Sequence, residues 1–133
     1  MVEDIVNAIA VRKRNKQKIF VCGNGGSAST AEHFTNDLFA KGVRAICLNS
    51  NMAIITMIAN DYGYEHIFDR QLEVYADGGD LLIVFSCSGR SANIINAIQF
   101  GLKTITIYGD DGKTYQENEN KHLKIAHKIA EAL

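Results

Sequence analysis

The residues able to do chemistry fall in two loops of small side chains and on two helical segments. Phe20 to Phe34 reads FVCGNGGSASTAEHF, in which an apolar run enters a loop holding Gly23, Gly25 and Gly26 and then small hydroxyl residues. Phe85-Ser86-Cys87-Ser88-Gly89-Arg90-Ser91 is a second loop of the same type, with hydroxyls and backbone N–H groups gathered around one glycine. Such loops at strand ends suit an anion, because N–H groups and hydroxyls can hold it without a lysine. Downstream of the first loop, His33 and Asp37 stand at i,i+4 with Lys41 one further turn on; near the end of the chain Glu119 and His127 are eight apart, again on one helical face. A carboxylate and an imidazole are the pair that exchanges protons near neutral pH. For each helix the plain alternative is a solvated polar face. His66 and His122 lack such a partner and read as incidental.

The glycine loop admits more than one use. Gly23-Asn24-Gly25-Gly26-Ser27-Ala28 satisfies the dinucleotide fingerprint, which also wants an acidic residue about 20 positions on, at the end of the second strand. That strand ends Leu48-Asn49-Ser50-Asn51, without a carboxylate, so no nucleotide cofactor is expected. A P-loop is excluded because no Gly-Lys-Ser/Thr follows the glycines. A tight turn would explain the glycines, and a helix cap would explain Ser91, but neither accounts for Ser86 and Ser88.

The elements that must position these loops alternate. Lys18–Cys22, Val43–Leu48, Asp80–Phe85 and Lys103–Tyr108 are short β-branched or aromatic runs bounded by Gly, Asn, Asp or Ser, and read as strands. Helical periodicity marks Val2–Val11, Ser29–Lys41, Met52–Asn60, Tyr64–Tyr75, Ser91–Phe100 and Glu117–Leu133. Ser29-Thr30-Ala31-Glu32 fits a capping box, placing the start of the second helix at Ser29, while Gly42 and Gly101 suit helix C-termini. Runs such as LLIVF, apolar throughout, belong to strands buried on both faces of a parallel sheet. The expected fold is therefore α/β, a doubly wound three-layer domain of about four strands spanning residues 1–133. In a flavodoxin-like order 2-1-3-4 the first and third strands are neighbours, and both loops meet at the switch point.

Composition narrows the class of function. The 133 residues are 47% apolar, and 14 basic against 15 acidic residues leave a net charge of −1 with no block of like charge. Neither a nucleic-acid partner nor a membrane partner is expected. Arg12, Lys13, Arg14, Lys16 and Lys18 form the nearest approach to a basic patch and read as a solvated connection. Cys22, Cys47 and Cys87, an odd number within or just after apolar segments, read as buried thiols in a reducing compartment. With no basic, apolar leader at the N-terminus, the expected location is cytoplasmic.

Three separated segments, CGNGGSASTAEHF, IANDYGYEHIFDRQL and SCSGRSAN, together resemble the SIS (sugar isomerase) domain family, and within it the phosphoheptose isomerases. The likeness runs over roughly residues 17–112 and resumes more weakly in the last helix. It implies a flavodoxin-like SIS fold and aldose–ketose isomerisation of a sugar phosphate through an enediol. By position it implies substrate contacts from Asn24, Gly25, Ser27, Asp61 and Lys41, phosphate contacts from Ser86, Ser88 and Ser91 with Cys87 among them, and Asp37 with His127 as the acid–base pair. The resemblance further implies a zinc set of His33, Asp37, Glu119 and His127, and a homo-oligomer, tetramer or dimer, with the active site between subunits.

The chain departs from that pattern in several places. Asp37 stands for a glutamate, Lys41 for an arginine and Glu119 for a glutamine. After Gly112 the chain enters the last helix without a fifth strand. These departures keep a second expectation open, a non-catalytic phosphosugar-binding or protein-interaction module of the same family.

Overall fold

The computed structural model describes residues 1–133. In chain order the elements are α1 (Val2–Arg14), β1 (Lys18–Gly23), α2 (Gly26–Ala40), β2 (Arg44–Cys47), α3 (Met52–Asp61), a 3₁₀ turn (Tyr64–His66), α4 (Asp69–Tyr75), β3 (Leu81–Ser86), α5 (Ala92–Gln99), β4 (Lys103–Tyr108) and α6 (Tyr115–Ala132). The four strands form one parallel sheet in the order β2-β1-β3-β4, as the alternating pattern predicts. No fifth strand is present.

The central strands are buried on both faces because their alternate residues feed two different layers. Ile19 and Val21 of β1 with Leu81, Ile83 and Phe85 of β3 pack against Ile5 and Ile9 of α1, Phe34 and Leu38 of α2, and Ile125 and Ile129 of α6. Phe20 and Cys22 with Leu82 and Val84 point the other way, onto Ile58 of α3, Leu72 of α4 and Ile94 and Ala97 of α5. This gives three layers, with α1, α2 and α6 on one face. No helix is long and apolar enough to cross a membrane. All three cysteines are free; Cys22 and Cys47 are buried and Cys87 is half-buried. Burial pushes the Cys22 and Cys47 thiols up.

Several local expectations change. Helix α2 begins at Gly26, one turn before Ser29, with Gly25 at its N-cap in a left-handed conformation (φ 56°) that suits glycine. The Ser29–Glu32 capping box therefore does not form, since those residues already lie inside the helix. A capping box does open α6: the Glu117 N–H donates to Thr114 Oγ1 at 3.2 Å, and the Thr114 N–H donates to Glu117 Oε2 at 2.8 Å. The segment Tyr64–Tyr75 is not one helix but a 3₁₀ turn followed by α4, and the break lets adjacent Ile67 and Phe68 both enter the core.

The basic cluster is only partly a solvated connection. Lys18 opens β1, and its ammonium pairs with Asp77 at 2.6 Å and Asp80 at 3.1 Å. Burial works to raise the Asp80 pKa, but backbone N–H donors from Asp77 and Lys18, with the Lys18 ammonium, outweigh it and hold the carboxyl below its ordinary value. This fastens the turn ahead of β3 to the start of β1.

Candidate active site

Both small-residue loops leave the carboxyl ends of neighbouring strands, β1 and β3, and line one pocket of about 350 Å³. Its walls are Asn24, Gly25, Gly26 and Ser27 on one side, Phe85, Ser86, Cys87, Ser88 and Ser91 on the other, closed by Tyr115 and Glu119 of α6. No lysine, arginine or histidine is among them. Donors come instead from the N-terminal turn of α2 and from the serine loop. Ser86 Oγ accepts from the Gly89 N–H at 2.8 Å, and Ser88 Oγ accepts from the Arg90 N–H at 3.2 Å. Because each of these oxygens is engaged as an acceptor, its own O–H is left to donate outward. Ser91 holds the N-cap position of α5 without a side-chain cap bond, so its hydroxyl is also uncommitted.

The first loop is held from behind by amides. Asn49, in the turn after β2, accepts from the Gly23 N–H at 3.1 Å and donates to the Gly23 carbonyl at 2.7 Å, which prolongs the sheet by one side-chain rung. The residue whose missing charge counted against a dinucleotide is thus a structural partner of the loop. Gly26 lies directly against the Glu119 carboxylate, which a Cβ at that position would displace.

Farther along the same two helices lies a second group. His33 and Asp37 of α2 and His127 of α6 offer three ligand atoms that all lie within 4.8 Å of one another. The Nε2 atoms of His33 and His127 are 3.1 Å apart, and His33 Nε2 is 3.5 Å from the Asp37 carboxylate. The rings meet edge to face with centroids 5.1 Å apart. Two imidazoles and one carboxylate converging with an open side are the donor set of a catalytic zinc site, so these residues fit that metal. The packing of α2 on α6 creates the group: helical spacing aligns His33 with Asp37, and only the helix contact adds His127.

Other residues implied by the resemblance lie elsewhere within one copy of the chain. Glu119 lines the small-residue pocket against Gly26 and is not part of the His33–Asp37–His127 group, because it sits two turns nearer the start of α6. Lys41, exposed, shares a shallow cleft with Asp37, His127 and Glu131. Asp61 is exposed at the end of α3, bonded to Asn60, and lines neither space. Nor are the two remaining histidines incidental. His66 pairs with Asp69 at 3.2 Å. His122 is fully buried, tilted against Phe85 at 5.8 Å between centroids, with neither ring nitrogen hydrogen-bonded. Burial holds its pKa below the ordinary histidine value, against the opposing pull of the nearby Tyr108 backbone and with a smaller contribution from the Lys121 ammonium.

Sequence reasoning missed Tyr115, Gly26 as a contact of Glu119, and Asn93. The asparagine carried one signal, its place two residues beyond Ser91 at the head of a helix.

A doubly wound parallel sheet whose switch point carries a pocket lined by glycine, hydroxyl and amide groups, with Glu119 as its one charged side chain, defines an α/β protein of the class that takes a ligand in that crevice. The family is given by comparison: the model of the SIS domain matches residues 1–109, and the chain belongs to that family. It is 45% identical over 114 residues to a phosphoheptose isomerase of Aliarcobacter butzleri, covering 78% of this chain and 60% of that protein. It is 35% identical over 137 aligned positions to the phosphoheptose isomerase of Synechocystis, covering 96% of this chain and 71% of that protein. The structure of phosphoheptose isomerase from Neisseria gonorrhoeae superposes with a TM-score of 0.93 at 27% identity, over 98% of this chain and 83% of that one. The chain spans 60% and 56% of the lengths of two curated relatives it matches, the latter from Helicobacter pylori strain HPAG1.

Proposed function

We propose that the protein is a phosphosugar isomerase of the phosphoheptose type, interconverting an aldose phosphate and a ketose phosphate through an enediol. The observation that carries this reading is the coexistence of a phosphate-sized pocket, free of cationic side chains and rich in hydroxyl and backbone donors, with the His33–Asp37–His127 group farther along α2 and α6. Ser86, Ser88 and Ser91 would donate hydroxyls to the phosphoryl oxygens, with backbone N–H groups of the glycine loop completing the grip. Charge-assisted hydrogen bonds of about 1.5–3 kcal/mol each are sufficient to anchor it without a cation. Asp37 and His127 would move the proton between the two carbons, one as base and the other as acid, a contribution of about 10²–10⁴. A zinc ion held by His33, Asp37 and His127 would instead polarise the substrate carbonyl, with Asp37 and His127 then serving as its ligands and not as the free acid and base.

Distances favour assembly from two copies. Ser27 and Asp37 are ten residues apart on α2, about 15 Å along the axis at 1.5 Å per residue. Glu119 and His127 are eight apart on α6, about 12 Å. From phosphorus to the carbonyl carbon, a heptulose phosphate has about seven single bonds of roughly 1.5 Å, at most about 10 Å. These spacings, taken along the helix axes before side-chain reach, support a reading in which the acid–base group of a second copy in a homo-oligomer would meet the anchored sugar.

Incubation of the purified protein with sedoheptulose 7-phosphate, followed by NMR, tests the proposal. Conversion is expected; its absence both with and without added zinc would overturn the isomerase assignment. Sugar-phosphate binding without conversion would favour a phosphosugar-binding module.

A further inference from the structure

Asn24 and Asn93 face each other through both ends of their side-chain amides. Asn24 Nδ2 donates to Asn93 Oδ1 at 2.8 Å, and Asn93 Nδ2 donates back to Asn24 Oδ1 at 2.9 Å. The Tyr64 hydroxyl adds a longer contact to Asn24 Oδ1 at 3.4 Å. Asn24 lies in the glycine loop after β1, whereas Asn93 is the second residue of α5, just beyond the serine loop. Asn93 is only 1% exposed and does not line the pocket, yet its partner does.

The pair ties the two loops together past the point where the strands end. Backbone N–H groups from one loop and hydroxyls from the other can grip a single phosphoryl group only if their spacing is kept. Such bonds weaken steeply once donor and acceptor leave normal geometry. A buried amide held by two reciprocal bonds is also costly to release, since breaking one end strands the other.

We infer that Asn93 is a positioning residue for ligand binding: acting through Asn24, it fixes the distance between the two loops so that both engage one phosphoryl group. The inference rests on the reading of this pocket as a phosphosugar site.

The test is a calorimetric titration of sedoheptulose 7-phosphate and of inorganic phosphate against wild type, Asn24→Ala, Asn93→Ala, Asn24→Ala/Asn93→Ala and Ile58→Val. Circular dichroism would fix a temperature at which every variant is folded. Ile58, a buried core residue of α3 away from the pocket, supplies a variant that loses stability alone. Asn93→Ala should weaken both ligands by about 10- to 100-fold. The double variant should bind no more weakly than Asn24→Ala, because Asn93 acts through Asn24. Ile58→Val should melt earlier and keep wild-type affinity. Should Asn93→Ala not fold, Asn93→Asp keeps the size and shape, removes the bond donated to Asn24 and should show the same loss.

Wild-type affinity in a folded Asn93 variant would overturn the inference. So would an equal loss in Ile58→Val, or losses that add in the double variant. If wild type binds neither ligand, the phosphosugar reading falls together with the positioning role. Binding by wild type that is unaffected in the Asn93 variants removes the positioning role alone.

Discussion

The two ends of the α2–α6 helix pair are built from opposite materials. At the starts of these helices the pocket is lined mainly by glycine, serine and amide groups, with the Glu119 carboxylate in one wall and no cationic side chain. About two turns further along, His33, Asp37 and His127 bring three ligand atoms within 4.8 Å of one another. The first region offers backbone and hydroxyl donors whose positions follow from strand ends and helix starts. The second works through side chains whose meeting depends on how two helices pack. Holding an anion needs many modest donors at fixed places, whereas moving a proton needs few groups with the right acidity.

That contrast predicts separable losses. The largest effect expected is on turnover: His127→Ala should lower kcat by about 10²–10⁴-fold, while affinity for a sugar phosphate stays within a few-fold. Steady-state kinetics with parallel calorimetry would check this, and a matching collapse of binding would break the division between the two regions. Next comes affinity. Ser86→Ala/Ser88→Ala should weaken phosphate binding by about 10- to 100-fold through loss of two hydroxyl donors, with folding retained. The loss should appear in KM more than in kcat.

The smallest effect concerns His122, which lies on α6 between the two regions. Its folded-state pKa is below the unfolded value, so the unfolded chain binds the extra proton first. Stability from the buried neutral ring is present above the unfolded pKa of about 6.5 and is lost as pH falls through the folded value. Melting temperature should therefore decline below about pH 6.5, and His122→Phe, packing on Phe85, should flatten that decline. An unchanged pH profile in that variant would overturn the assignment, because Asp80, whose carboxyl is held below its ordinary value of 3.8, gives up its contribution only in a more acidic range.

How much the sequence disclosed varied with the distance over which each feature is determined. Strands appeared where apolar residues ran unbroken, and their parallel arrangement followed from burial on both faces. Both loops were legible because glycine and serine clusters at strand ends have few other uses. The start of α2 was misplaced because Ser29–Glu32 matches a capping box on paper, while Gly25, free to take φ 56°, lets the helix begin a turn earlier. The break within Tyr64–Tyr75 was invisible because helical periodicity does not register that Ile67 and Phe68 must both enter the core.

By itself the sequence determined the layer order, the position of the two loops and the i,i+4 alignment of His33 with Asp37, all consequences of local chain geometry and hydrophobic period. Tertiary structure decided the rest. Which face of α6 packs on α2 sets His127 beside His33 and sends Glu119 to the pocket instead. Folding likewise joins Asn24 to Asn93 across 69 positions and buries His122 without a partner. No local pattern encodes those meetings, because they arise only when helices settle on the sheet and side chains distant in sequence compete for the same space.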